Sequence, residues 1–229
     1  DANQYIADLA RTKGVKLVTK SKSMASEETH LNQALESAGV EALETDLGEW
    51  IIQLAGQRPS HMVMPAIHMF KEEVAELFSK VTGSEEPAEI EHLVQVAREQ
   101  LRQGYLDADM GITGANVAVA ETGGIALVTN EGNARLVSTL PKIHVALLGI
   151  EKIVPTLEDA ATIIRTLPKN ATGQLLTSYI TWIRGAVPCG DGDKELHLVL
   201  LDNGRSALAE SPQCRDALRC IKCGACANV

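Results

Sequence analysis

The sequence predicts an α/β protein: a three-layer α/β/α sandwich around a mixed, mostly parallel sheet. Short apolar runs of strand length alternate with stretches of helical period through the first hundred residues. Closely spaced β-branched runs then follow, split by glycine-rich breaks. The 229 residues can bury one substantial core, and a 45% hydrophobic content marks a globular chain.

Residues 1–13 carry Ile6, Leu9 and Ala10 at helical spacing, with Gly14 as a stop. Val15–Thr19 is an apolar run of strand length, and Lys20-Ser21-Lys22-Ser23 is the polar loop after it. Ser26 is placed to cap a helix with Leu31, Ala34, Leu35 and Ala38 on one face, ended by Gly39. Val40–Glu44 reads as the next strand. Asp46 caps a helix through Trp50, Ile51 and Leu54 that ends before Pro59, and His61–Met64 reads as a third strand. Helices are expected over 68–81 and 87–104, the second with Pro87 in its first turn.

From residue 117 the pattern changes. Val117–Ala120, Ile125–Thr129 and Lys142–Leu148 are strand-like, and the breaks at Gly123-Gly124 and Glu131-Gly132-Asn133 read as hairpin turns. Thr156 caps a helix to Leu167. Thr177–Gly185 and Glu195–Leu201 read as strands flanking a Pro188–Asp193 turn, and residues 211–220 as a helical tail.

Composition excludes some functions. Formal charge is −9 and there are only seven aromatic residues, so a nucleic-acid surface is not expected. No apolar run approaches the roughly 20 residues that span a bilayer. Five cysteines, three of them in the last ten residues, favour metal chemistry in a reducing cytosol over disulfides.

Cys220, Cys223 and Cys226 form a C-x2-C-x2-C run. Soft thiolates at this spacing suit an iron–sulfur cluster, whose ferredoxin signature has a fourth cysteine after three more residues. That position falls immediately after Val229. The expectation is therefore an α/β domain over 1–210 and the truncated start of a cluster domain over 211–229. Zinc is the alternative metal, and Cys214 is a spare ligand.

Three polar constellations stand out in the α/β domain. Lys20, Ser21, Lys22 and Ser23 follow a strand, where open α/β sheets bind ligands, and suit a carboxylate or phosphate. Thr113, Gly114 and Asn116, then Glu121, Thr122 and Gly123, then Asn130, Glu131, Asn133 and Arg135 are dense in small and polar residues between apolar strands. Arg135 could clamp a carboxylate and Glu121 could act as a base. The alternative is that these are tight turns with surface ion pairs. His144, inside an apolar run, reads as a core residue, whereas His61 and His68 could reach a strand-end pocket. There is no G-x-G-x-x-G, no Walker lysine motif, no H-E-x-x-H and no G-x-S-x-G.

Several segments resemble one family in order along the chain: Lys20-Ser21-Lys22-Ser23-Met24, Glu44 to Glu49, Ile51 to Ala55, Pro59-Ser60-His61, Gly111 to Asn116, Ala120 to Gly123, Val128 to Asn133, Leu140-Pro141-Lys142, Gly149 to Lys152, Ala171 to Gln174, Leu200 to Arg205 and Leu218 to Asn228. The chain is similar to the LutB/LldF family, the iron–sulfur subunit of L-lactate utilisation systems. The resemblance implies a LUD domain of the NagB/RpiA/CoA-transferase-like fold and a ferredoxin-like domain with two 4Fe-4S clusters in the full-length protein. No cluster is expected to be held stably by the present residues. It implies oxidation of L-lactate to pyruvate in the cytoplasm with two partner subunits, a cysteine-rich LutA/LldE-like protein and a LutC/LldG-like LUD protein. Pro188-Cys189-Gly190 departs from the family pattern. Two other functions stay open on the residues: a LUD scaffold that docks partners without catalysis, and a CoA- or acyl-transfer enzyme with Glu121 as nucleophile.

Overall fold

The computed structural model describes residues 2–189 and 192–227. The chain opens with helix α1 (Ala2–Lys13) and strand β1 (Leu17–Lys20), then α2 (Met24–Glu28), α3 (Leu31–Ser37), β2 (Glu41–Glu44), α4 (Leu47–Ala55), α5 (Lys71–Thr82) and α6 (Ile90–Asp107). Strands β3 (Met110–Thr113), β4 (Val117–Val119) and β5 (Gly124–Thr129) follow, then α7 (Asn133–Thr139), β6 (Ile143–Gly149), β7 (Ile153–Val154) and α8 (Leu157–Thr172). The last elements are β8 (Tyr179–Ile183), β9 (Pro188–Cys189), β10 (Gly192–Asp193), β11 (Glu195–Leu201) and α9 (Arg205–Glu210), with 3-10 turns at Arg215–Arg219 and Ala225–Ala227.

Five strands in the order β11-β6-β3-β1-β2 form a wholly parallel sheet. Its strands alternate in period two. Val18, Ala42, Met110, Ile112, Val145 and Leu147 face one way and pack on Ile6, Ala10, Leu31 and Leu35 of α1 and α3. On the opposite face Leu43 joins a second cluster built from α4, α5 and α6, with Trp50 and Phe78 rings 5.0 Å apart. The expected α/β/α sandwich is therefore present. A second sheet, β7-β4-β5-β8, carries the antiparallel pairs β4-β5 and β5-β8. Ala118 and Ile125 of that sheet meet Ala146 and Leu148 of β6, and α8 covers the sheet through Ala160 and Ile164.

Several expectations needed correction. Gly111 to Thr113, expected to lie between apolar strands, belong to Met110–Thr113, a fully buried strand between β1 and β6. Gly111 is required there, because a Cβ would stand 1.9 Å from the Val137 carbonyl oxygen of α7. His61–Met64 is not a strand: Nδ1 of His61 accepts from the backbone N–H groups of Val63 and Met64 and folds the segment into a turn. The helix expected from Ser26 is two helices. Ser23 caps the first, and His30 breaks the run in a left-handed conformation with φ 56°. Glu131-Gly132-Asn133 is not a hairpin turn but the start of α7. Helix α8 runs past Pro168 to Thr172 before Gly173 ends it. The tail over 211–220 is a 3-10 turn rather than an α-helix. Of the Pro188–Asp193 turn, β9 and β10 pair antiparallel, and positions 190 and 191 lie outside the described residues. Asp1 of the first helix and Asn228 of the last signature also lie outside them.

Candidate functional site

The carboxyl ends of β1, β3, β5 and β6 open into one cavity of about 430 Å³. Four of the loops that line it continue these strands, where the sheet leaves unpaired backbone groups and room for a ligand. Ser21, Lys22 and Ser23 follow β1, and Gly114 and Asn116 follow β3. Asn130, Glu131 and Asn133 follow β5, and Glu151 and Lys152 follow β6. Met62, Val63 and Met64 close one side; Leu167, Pro168 and Gln174 close another. Ile221 and Lys222, from inside the cysteine run, complete the wall.

Close approach of the loops is enforced locally. A Cβ on Gly114 would lie 2.9 Å from Ser23 Oγ, so only glycine lets the ends of β1 and β3 come together. The amides are held in place: Asn116 Oδ1 accepts from Val128 N at 2.7 Å, Asn133 Oδ1 accepts from Thr129 Oγ1 at 2.8 Å, and Asn130 Nδ2 donates to Gln174 at 2.6 Å.

Lys22 is one of three lysines in the lining, with Lys152 and Lys222. Its ammonium is buried and 3.3 Å from Glu49 Oε1, yet neither atom has a partner in hydrogen-bond geometry. Burial lifts the Glu49 carboxyl to about 7, against the pull of Lys22. Glu131 is exposed as a residue, but its carboxylate accepts from Leu47 N at 3.1 Å. Desolvation there, with the charge of Asp46 adding to it, lifts Glu131 to about 7 as well. Lys152 is pushed down, first by burial and then by the nearby charge of Lys222.

Eight of the sequence candidates therefore meet at the cavity: Ser21, Lys22, Ser23, Gly114, Asn116, Asn130, Glu131 and Asn133. Others do not line it. Lys20 is buried in a closed triad, donating to Glu44 and Asn32 at 2.6 Å each. Thr113 Oγ1 pairs with His144 Nε2 at 2.8 Å, and burial lowers His144 to about 4, so it is the neutral core histidine expected. Glu121 accepts from Leu157 N at 2.7 Å and serves the start of α8. Thr122 and Gly123 form the tight turn between β4 and β5, where Thr122 Oγ1 accepts from Gly124 N. Arg135 lies exposed on α7. His68 bonds Ser60 and Gln57 at the surface.

Sequence reasoning missed Glu151, Lys152 and Lys222, and with them Arg205. The Arg205 guanidinium donates to Glu28 at 2.8 Å and also to Glu151; Lys222 Nζ lies 3.6 Å from the other Glu151 oxygen. Lys152 Nζ donates to the Ile221 carbonyl at 3.3 Å. Both ends of this network sit in segments the sequence singles out, Gly149 to Lys152 and Leu200 to Arg205, but only the fold shows that they meet.

The cysteine run has suitable soft donors at cluster spacing. Among the described residues, however, no three His, Cys, Asp or Glu side chains are gathered as a metal-binding set. Cys220 and Cys226 are exposed and Cys223 is half-buried.

The LUD domain family model matches residues 1–201, which include all the strand-end loops of the cavity. The chain belongs to the LUD domain family. It is 47% identical over its whole length to "Uncharacterized electron transport protein YkgF" of Escherichia coli K12. It is 46% and 49% identical to proteins named "Lactate utilization protein B" of Macrococcus caseolyticus and Shouchella clausii. The chain spans about half the length of these relatives, 48% to 49%. Among the described residues no helix is long and apolar enough to cross a membrane.

Proposed function

We propose that this LUD domain binds a small 2-hydroxy carboxylate, L-lactate, as part of an iron–sulfur protein of lactate utilisation. The observation that carries the reading is Lys22, a residue of the cavity lining whose ammonium is buried beside it without a hydrogen-bond partner. A carboxylate there gains a charge-assisted bond where water is scarce. Ser21, Ser23 and Asn116 stand beside it to take a second oxygen. Glu131, lifted to about 7, is half ionised near neutral pH and suited to accept the hydroxyl proton. Glu131 lines the site, so the negative charge facing an anion falls as it protonates.

The names of the relatives, lactate utilization and electron transport, support this reading. Cys220, Cys223 and Cys226 would supply three of a cluster's thiolates. The proposed setting is cytoplasmic, with a cysteine-rich partner subunit and a second LUD subunit. Acyl transfer through Glu121 is disfavoured by its position away from the cavity, bonded to the start of α8. The test is equilibrium binding of L-lactate, with acetate as the comparison lacking the hydroxyl. Micromolar to low-millimolar binding of lactate that Lys22→Met weakens about tenfold or more supports the reading; binding unaffected by Lys22→Met contradicts it.

A further inference from the structure

We propose that the cysteine run is itself a wall of the ligand site, and that Lys222, between Cys220 and Cys223, is a ligand-binding cation for the small carboxylate. The inference rests on the carboxylate reading of the cavity. Its own observations are separate. Ile221 and Lys222 face the same space as Lys22 and Asn116. The run is tied down at three points. Lys152 holds the Ile221 carbonyl, Lys222 pairs with Glu151, and Gly224 packs so tightly that a Cβ would lie 2.7 Å from Val63.

Lys222 has φ 58°, the left-handed region that side chains other than glycine rarely adopt. In this conformation the Lys222 ammonium stands 3.6 Å from Glu151 Oε1. Glu151 is already satisfied by Arg205 through its other oxygen. At 3.6 Å the Lys222 ammonium is attracted by charge but not engaged in a hydrogen bond, so its three donors remain available to an anion. Lys22, Lys152 and Lys222 thus line one cavity from three different segments. The two cysteines flanking Lys222 are then restrained whenever the cavity is filled, and binding and thiol reactivity report on each other.

The experiment measures L-lactate affinity by calorimetry at low salt and the alkylation rates of Cys220, Cys223 and Cys214 by mass spectrometry. It uses the wild-type chain and its Lys222→Ala, Lys222→Arg and Lys22→Ala variants, each checked for an unchanged melting temperature. Expected are about tenfold weaker binding in Lys222→Ala and recovery in Lys222→Arg. Bound lactate should slow alkylation of Cys220 and Cys223 severalfold but leave Cys214, which lies before the run, unchanged. Loss of affinity in Lys22→Ala with none in Lys222→Ala, or equal alkylation of Cys220 and Cys214 with and without lactate, overturns the assignment and leaves the cavity reading standing. Absence of lactate binding to the wild type overturns both.

Discussion

Arg205→Met tests how the cysteine run is held to the α/β body. The Arg205 side chain is only 10% exposed and carries two carboxylates, Glu28 at 29% and Glu151 at 6%. Removing one partner of a buried ion pair costs about 3–5 kcal/mol, because the remaining charge loses its compensation. Glu28 retains some solvent and a bond from Asn203, and Glu151 retains Lys222, so the lower end applies, about 3 kcal/mol. For a chain of this size each kcal/mol moves the melting temperature by roughly 2–4 °C, so a fall of about 6–12 °C is expected at pH 7. The pH dependence distinguishes this mechanism from lost packing. Burial pushes both carboxyls up, but Arg205 and its neighbours outweigh it and hold them below the usual value of 4.5. Groups lowered in the folded state stabilise above their unfolded value and lose that contribution as pH falls through the folded one. The gap between wild type and Arg205→Met should therefore be largest near neutrality and shrink below about pH 4. The assay is a thermal melt followed by circular dichroism at several pH values, with alkylation of Cys220 as a second readout that should accelerate. A gap below 2 °C at pH 7, or one that stays constant down to pH 3.5, refutes the argument.

Other outcomes follow from the same geometry. Gly111→Ala forces its methyl into the Val137 carbonyl, so a loss of about 3 kcal/mol or more in urea unfolding is expected. Lys22→Met should weaken lactate binding about 10- to 100-fold, the worth of a hydrogen bond to a charged group, while the melting temperature moves little because Glu49 can take up a proton. Glu49, raised to about 7 by burial, makes stability fall as pH rises from 4.5 towards 7, and Glu49→Gln should flatten that slope in pH-dependent melts. Lactate affinity should rise between pH 8 and pH 6 as Glu131 protonates; a pH-independent Kd would contradict the proximity of this carboxyl to the ligand.

Much of the fold is legible because its strands and helices obey simple periods. Val18 and Ala42 alternate with Thr19 and Leu43 across β1 and β2, and Asp46 and Thr156 cap the helices they were expected to cap. Strand β3 is hidden because a short central parallel strand is buried on both faces, and Gly111 there serves contact with α7 rather than a turn. His61–Met64 misleads for the opposite reason: it is apolar, but the side chain of His61 competes for its backbone N–H groups. In the site, the loop after β1 was legible from Ser21, Lys22 and Ser23, whereas Lys20 ends β1 in a closed triad. The apparent charges at Glu121 and Arg135 turned out to serve a helix start and the surface. Glu151, Lys152 and Lys222 carry no local signal, since only tertiary packing brings the segment after β6 against the cysteine run.

The most direct test is a crystal structure of the chain with L-lactate bound. The carboxylate should lie within hydrogen-bond distance of Lys22 Nζ, in the cavity between the loop after β1 and the Ile221-Lys222 segment. Lactate density at another surface, with this cavity holding only solvent, would contradict the account.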